Sequence, residues 1–225
     1  MRGITFKPDM IQAVVDGRKT QTRRLIKPQP KYLKGKVYSQ WFWCKRNITE
    51  VKALRLGISH AVWWDRVKTP RVMTAFARYQ VGETVYIKEA WTVFHCIGTL
   101  AGIKYMRDGF VTWVHIPASK PNPAVGYHSP MMMPEWAARH FLTILAVRAE
   151  RLQEITEGHA IAEGVERMTY NQNEGWKNYF AVGCMAHSAV SSFNSLWNKL
   201  NWKRGYPWVS NPWVYLYEFE YKGGE

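Results

Sequence analysis

Residue types that could act together in catalysis occur near the N-terminus, in the segment GRKTQTRR. Lys19 and Thr22 are three residues apart, so both side chains can face one pocket if the chain turns there. A threonine hydroxyl is a weak nucleophile until a neighbouring base takes its proton. A lysine can be that base only when burial or nearby cations depress its pKa. Three arginines supply nearby positive charge: Arg18, Arg23 and Arg24.

A carboxylate would complete such a site by orienting the lysine or relaying a proton. The candidates are Glu89 in YIKEAW, and Glu157, Glu163 and Glu166 in or beside ITEGHAIAEGVE. His159 and Glu163 share a helix face at i, i+4 spacing, but two ligands are too few to predict a metal site. We predict no metal, because the other histidines show no ligand spacing either, and no cofactor, because neither glycine-rich phosphate-binding motif occurs.

A purely structural interpretation of these residues stays open. Lysine and arginine directly after a helix meet the negative end of its dipole, so GRKTQTRR is also typical of a solvated basic turn. Acidic residues on helices and strands are most often simply exposed. The residues alone therefore leave two alternatives, a catalytic cluster and a capped turn.

The positive charge of the chain is concentrated at one end. Residues 1–57 hold 14 basic and 3 acidic residues, out of 31 and 17 in the whole chain. Such a field attracts polyanions, although a charge that only aids solubility remains an alternative. Lys27 joins the arginines as a candidate ligand for phosphate. With 12 Trp and 12 Tyr available for base stacking or for core packing, we expect RNA, a modified nucleoside or nucleotide, or DNA as partner.

The segment SPMMMPEW has two interpretations. Its three methionines beside Trp136 could line a wall that binds a base. Methionine is also a common filler of irregular gaps in cores, and a plug at the mouth of a barrel is the interpretation that we favour.

Length and composition favour a single domain in the cytoplasm. The chain has 225 residues, which suits one domain with insertions. Its three cysteines are far apart and indicate neither a disulfide framework nor a zinc site. We predict no membrane span, since no apolar run approaches the roughly 20 residues needed, and no secretory signal, since MRGITFKPDM lacks an apolar core.

Hydrophobic periodicity predicts a mostly antiparallel α+β fold. The N-terminal elements are a strand at Ile4–Phe6, a helix that begins at Pro8 and ends at Gly17, and a strand at 20–26. The later elements are a strand at 84–93, a hairpin of 103–106 and 110–116 around RDG, a strand at 141–152, a helix from Thr156 to Glu163, a helix from Ser188 to Leu200, and a closing strand in WVYLYEFEYK.

Two segments show no clean period. Residues 31–78 read as a basic, partly helical insertion, and residues 167–186 read as irregular. The elements together predict a small, mostly antiparallel β-barrel with helices packed outside it.

The order of these motifs resembles the ASCH family, a branch of the PUA-like barrels. Gly17, Lys19, Thr22 and Arg24 match the family signature G-x-K-x-x-T-x-R, with Arg24 rather than Arg23 at the family's spacing. VGETVYIKEAW resembles the family's G-D-x-x-x-V-x-E strand, and LQEITEGHAIAEGV resembles its helix after the long strand. Phage-borne members are the most similar, in segments such as MPEWAAR, FNSLWNKLN and NPWVYLYEFE. The resemblance covers both ends and the middle, and leaves 31–78 and 167–186 as insertions.

The resemblance implies a PUA-like barrel with flanking helices and a cleft over the signature. One branch of the family hydrolyses the amide of acetylated cytidine, and its lysine, threonine and glutamate correspond to Lys19, Thr22 and Glu163. The chain is considerably longer than those small amidohydrolases, so its substrate does not follow from theirs. If the chain is phage-encoded, the host cytoplasm is the expected location.

Four functions follow as hypotheses. The first is a hydrolase of a modified base or nucleoside. The second is a reader that binds RNA or modified DNA without chemistry, and the third is a ribonuclease. The fourth is a virion or host-interaction protein in which the barrel is only a scaffold.

Overall fold

The computed structural model describes residues 1–27, 29, 60–65, 71–170, 172–181 and 183–223, with only the backbone at 60–65 and 71–76. The chain divides into two compact units. Unit 1 comprises Met1–Gly17, Glu83–Thr143 and Glu220–Glu225, and unit 2 comprises Arg18–Gly82 and Ile144–Phe219.

Short strands dominate both units. The strands are β1 (Arg2–Thr5), β2 (Gln21–Leu25), β3 (His60–Asp65), β4 (Arg71–Phe76), β5 (Thr84–Lys88), β6 (Trp91–Ile97), β7 (Leu100–Tyr105), β8 (Val111–His115), β9 (Gly126–His128), β10 (Phe141–Arg151), β11 (Arg167–Tyr170), β12 (Asn173–Lys177), β13 (Met185–Ala186) and β14 (Trp213–Tyr221). Within the described residues, the α-helices are α1 (Pro8–Val15), α2 (Glu157–Ala162) and α3 (Ala189–Asn201). The fold is thus mixed α+β and mostly sheet. Among the described residues, no helix is long and apolar enough to cross a membrane.

Unit 1 contains two groups of strands. In the first, β5 lies between β1, which runs parallel to it, and the antiparallel start of β10. The second is an antiparallel sheet of order β8-β7-β6-β9. One face of this sheet packs into a core with Met133 and the short helical turn Glu135–Ala137. That core consists of Trp91, Val93, Ala101, Ile103, Tyr105, Ile116, Met133 and Ala137.

Unit 2 positions the candidate catalytic residues. The rest of β10 is followed across the sheet by β14 and then β2, and β14 pairs antiparallel with β2 from Val214↔Leu25 to Glu218↔Gln21. α2 begins at the N-cap Thr156, whose hydroxyl accepts the backbone N–H of His159. α3 begins in the same way at Ser188.

The predicted order of strand, helix and strand at the N-terminus is confirmed. Pro8 occupies the first turn of α1, and Gly17 takes a positive φ of 73° two residues after the helix. The predicted hairpin is also present as β7 and β8, which pair from Leu100↔His115 to Lys104↔Val111.

The strand predicted at 84–93 is instead two strands. β5 ends at Lys88 and β6 begins at Trp91. The two strands have different partners, since β5 pairs with β1 and β10 whereas β6 pairs with β7 and β9. A continuous β-type pattern does not reveal where the pairing partners change.

Both segments without a clean period contain strands. The partly helical insertion expected at 31–78 lies mostly outside the described residues, and its described part includes β3 and β4, which form an antiparallel pair from His60↔Phe76 to Asp65↔Arg71. The expectation of irregular structure at 167–186 is wrong, because β11, β12 and β13 form a three-stranded sheet. Each of these strands pairs with a strand close by in the sequence, and β propensity depends so strongly on such packing that the pattern of one short strand does not reveal it.

A buried carboxylate lies at the break between β5 and β6. Glu89 is 2% exposed, and the Arg139 guanidinium donates Nε to its Oε1 and Nη2 to its Oε2, both at 2.9 Å. Arg107 Nε donates to Oε2 at 3.1 Å. Arg139 also lies 4.0 Å from the centre of the Tyr105 ring. One charge is therefore held by two cations inside unit 1.

We predict that Glu89→Gln destabilises the protein by roughly 3 kcal/mol, because Arg107 and Arg139 lose their buried carboxylate partner and keep only the more exposed Asp108. Chemical denaturation in urea measures the free energy of unfolding. Glu220→Gln, at an exposed position of the same unit, is the matched control and should change it by less than about 0.5 kcal/mol. Equal effects of the two substitutions would show that the Glu89 cluster does not stabilise unit 1.

Candidate active site

Lys19 lies beside Glu163, which is 144 residues away in the sequence. The two residues form an isolated antiparallel bridge. The Thr20 N–H donates to the Ala162 carbonyl at 2.9 Å, and the Thr20 carbonyl accepts the Phe219 N–H at 2.9 Å. Backbone hydrogen bonds therefore fix the segment before β2 against both the end of α2 and β14.

The Lys19 ammonium donates to three acceptors. Its Nζ is 2.8 Å from the Glu163 carboxylate Oε2, 2.6 Å from the Glu163 carbonyl and 2.8 Å from the Gln21 carbonyl. The Glu163 carbonyl follows the last turn of α2, where helical carbonyls lack intrahelical partners. Lys19 thus caps this helix end and forms an ion pair at the same time.

Glu163 is held from two sides. Its Oε2 accepts from Lys19, and its Oε1 accepts from Arg23 Nη1 at 3.1 Å. The side chains of these three residues are at most 5% exposed. Gly164 follows with a positive φ of 82°, a conformation that favours glycine and lets the chain turn away after the carboxylate.

Burial lowers the pKa of Lys19 below its ordinary value of 10.5. The ion pair with Glu163 opposes this shift, whereas the positive charges of Arg24 and Arg23 add to it. Burial likewise lowers the pKa of the Arg24 guanidinium, against the influence of Tyr79 and Glu163. A buried lysine with a lowered pKa is the form of lysine that can take a proton from a substrate or nucleophile.

Thr22 lies next to this ion pair along the chain. The Gln21 carbonyl that accepts from Lys19 belongs to the peptide bond with Thr22, so Nζ lies within about 6 Å of the Thr22 Cα. Thr22 is buried and lies opposite Tyr217 in the ladder. Since side chains alternate along a strand, Thr22 projects from the face of β2 opposite to that of Arg23.

Lys19 lies beside the outer edge of β2, where it can be reached from both faces of the strand. In an antiparallel ladder, alternate residues direct their backbone groups towards and away from the partner strand. The Thr20 carbonyl bonds to β14, while the next carbonyl, that of Gln21, bonds to Lys19. Arg23 on one face contacts Glu163 directly, and the charge of Arg24 on the other face also interacts with Glu163.

A chain of alternating charges leads from this cluster towards the surface. Arg23 Nε donates to Glu150 Oε1 at 2.7 Å, and Arg148 Nε donates to Glu150 Oε2 at 3.2 Å. Arg148 also pairs with Glu218 at 3.0 Å. Side-chain exposure rises along this series, from none at Arg23 to 43% at Arg148. Sequence reasoning missed Glu150 and Arg148, although their i, i+2 spacing in the predicted strand VRAER places them on one face.

The other predicted carboxylates have structural contacts. Glu157 accepts the Ala189 N–H at 2.8 Å at the start of α3, and Glu166 pairs with Lys177 at 2.6 Å. Glu89 is enclosed by arginines within unit 1. Of the four candidates, Glu163 alone is bonded to Lys19 in the part of the chain that the structure describes.

The predicted ligand-binding residues differ in burial. Arg18 and Lys27 are exposed, as expected for groups that meet phosphates, whereas Arg23 directs two of its nitrogens to carboxylates. Trp136, in unit 1, packs edge-on against Trp91 with ring centres 5.8 Å apart. Its neighbour Met133 is buried in the same core.

SPMMMPEW is thus part core filler and part surface. Met131 and Met132 of the same segment are exposed, so the methionines do not act as one group. A role of Trp136 in binding a base stays a prediction.

Titratable side chains form no metal-like cluster in the described ranges, where no group of three or more His, Cys, Asp or Glu residues lies close enough to hold an ion. The arrangement of Lys19, Glu163 and Arg23 can instead support proton transfer and the stabilisation of an anion.

Comparisons with models of known protein families, with curated proteins and with solved structures found no match to this chain.

We predict that the stabilising effect of Lys19 rises with pH. Stability increases with pH wherever the unfolded chain binds more protons than the folded one. Because burial lowers the folded pKa of Lys19, this condition holds between that pKa and the ordinary value of 10.5. The difference in unfolding free energy between the protein and Lys19→Met should therefore grow as pH rises from neutrality towards that value.

Urea denaturation at several pH values measures this difference, and Lys27→Met controls for the loss of one positive charge at an exposed position. A difference that stays constant or shrinks with rising pH would contradict a lowered pKa for Lys19.

Proposed function

We propose that this protein is an ASCH-type, PUA-like hydrolase that cleaves the amide of an acylated base or nucleoside, with acetylated cytidine as the reference substrate. The observation on which this proposal depends is the buried Lys19–Glu163 ion pair, with 2.8 Å between Nζ and Oε2. It joins two residues that the resemblance matches to a catalytic lysine and glutamate.

The electrostatics support a role for Lys19 as the base. Burial lowers the pKa of Lys19, which raises the fraction of neutral amine at a given pH. When the Lys19 amine takes a proton, the Glu163 carboxylate stabilises the resulting ammonium through Oε2. Arg23 holds the orientation of Glu163 by donating to its other oxygen, Oε1. These are the requirements of a base with an orienting partner.

In the proposed reaction, the Thr22 hydroxyl oxygen attacks the acyl carbon while Lys19 Nζ takes the hydroxyl proton. Nζ then returns this proton to the amide nitrogen as the carbon–nitrogen bond breaks, which releases the free amine of the base and leaves an ester on Thr22. Water attacks the ester, its proton passes through Lys19 to the threonine oxygen, and the carboxylic acid departs. The sum is amide plus water giving acid plus amine.

Arg24 is the proposed stabiliser of the oxygen that becomes negative during attack. Arg24 lies two residues after Thr22 in β2, so the two side chains project from the same face of the strand. Its charge also interacts with Glu163. A preorganised charged donor is well suited to an oxyanion.

The geometry favours hydrolysis over reading without chemistry. In a phosphate reader, Lys19 and Arg23 would direct their donors to the nucleic acid, whereas both are bonded to carboxylates here. Exposed Arg18 and Lys27 keep the binding of a nucleic-acid substrate open, and the ribonuclease hypothesis differs by its product.

We predict that the protein releases acetate from N4-acetylcytidine, free or within RNA, and that Thr22→Val lowers kcat by at least about a thousandfold, as loss of a nucleophile does. Thr20→Val, an equal change at an exposed position of the same segment, is the matched control and should retain activity. Lys19→Met should also abolish turnover. Acetate and cytidine are quantified by chromatography.

A labelled RNA without acetylated bases is incubated in parallel. If the protein cleaves this RNA and Lys19→Met does not, the ribonuclease hypothesis replaces the hydrolase proposal. Equal activity of Thr22→Val and Thr20→Val would remove Thr22 as nucleophile, and absence of turnover on any acylated base would refute the proposal.

A further inference from the structure

The sheet of order β8-β7-β6-β9 in unit 1 has one buried and one exposed face. The exposed face includes three large rings, Phe94, Trp113 and Tyr127, which are 43%, 47% and 64% exposed. We call this surface the aromatic face. The opposite side of the same strands forms the core around Trp91 and Ile103.

Strand register places these rings on one side. Tyr127 pairs with Thr92, Thr92 with Lys104, and Lys104 with Val111, which makes one row across all four strands. Directly paired residues project from the same face of a sheet. Trp113 lies two residues beyond Val111 and so projects from this face too.

Phe94 and Gly102 shape the centre of the aromatic face. A β-carbon on Gly102 would lie 2.5 Å from the Phe94 ring, so the ring lies directly over the glycine backbone. Gly102 pairs with Trp113, and the Phe94 and Trp113 rings meet edge to face with centres 5.6 Å apart. Glycine thus leaves a shallow, ring-lined surface where any other side chain would displace Phe94.

The charge of these strands is one-sided. None of β6, β7, β8 or β9 contains an aspartate or glutamate. Lys104 and His115 are exposed on the aromatic face. The acids nearest to these strands in the sequence are Glu89 before β6 and Asp108 in the β7–β8 turn, and each is paired with Arg107 and Arg139.

We propose that the aromatic face binds single-stranded nucleic acid, with bases stacked on Phe94, Trp113 and Tyr127 and the backbone near Lys104. Exposed aromatic rings on a sheet are a recurrent platform for unpaired bases, because every base has a stackable face. Strands without carboxylates do not repel the phosphates of a nucleic acid. A site for an uncharged protein surface would not require this absence of acidic residues.

This inference does not depend on the proposed hydrolase. The rings belong to unit 1 and the Lys19 site to unit 2, and binding is measured without turnover. Failure of one proposal therefore leaves the other testable.

Fluorescence anisotropy with labelled ten-nucleotide probes tests the inference. Three probes are compared, oligo(U), oligo(dT) and an abasic strand of equal charge, and the first two distinguish RNA from DNA. We expect Trp113→Ala and Tyr127→Ala each to weaken binding of oligo(U) or oligo(dT) by at least about fivefold. Phe94→Leu, which keeps the cover over Gly102, should weaken binding without loss of thermal stability.

Tyr170→Ala is the matched control, because Tyr170 is an exposed tyrosine on β11 of unit 2. This variant should bind the probes with unchanged affinity. Lys104→Met should reduce the slope of log affinity against log salt by about 0.7, as for one phosphate contact on a single strand.

Equal affinity for the abasic strand, or affinity unaffected by the ring variants, would overturn the inference. So would sedimentation showing that the face mediates self-association, with Trp113→Ala converting an oligomer to monomers while no probe binds.

Discussion

The ion pair between Lys19 and Glu163 is the constraint on which the arrangement of unit 2 depends. Burying either charge alone would cost several kcal/mol, and each is tolerated because the other and further hydrogen bonds satisfy it. The pair joins the segment before β2 to the end of α2 across 144 positions. Together with the backbone hydrogen bonds of Thr20, this contact ties the start of β2 to the end of α2.

Each unit has one buried glutamate held by arginine, yet the two differ in chemistry. Glu89 is enclosed by the guanidinium groups of Arg139 and Arg107, and a guanidinium is not deprotonated in proteins. Glu163 has an arginine on one oxygen and a lysine on the other. Because an ammonium can lose its proton when buried, the second cluster is suited to proton transfer and the first to stability.

Nucleic acid is the common theme of the two proposals. The Lys19 cluster holds groups that could hydrolyse the amide of an acylated nucleobase. The aromatic face of unit 1 holds rings on which unpaired nucleobases could stack, on strands that contain no carboxylates. The charged series from Arg23 through Glu150 to Arg148 balances most of its own charge. Positive charge at the surface therefore comes from exposed residues such as Arg18 and Lys27, rather than from the buried cluster.

Local pattern alone determined much of this protein: α1 between Pro8 and Gly17, the strand after it, the capped helix that leads to Glu163, and the β7–β8 hairpin. Caps, turns and periodicity are short-range signals, so they can be read without tertiary structure. The family resemblance singles out Glu163, but only the tertiary structure decided that this carboxylate meets Lys19 and that 84–93 divides at Glu89. Those outcomes depend on partners far away in sequence, and a local pattern holds no information about which distant strand or charge will be the neighbour.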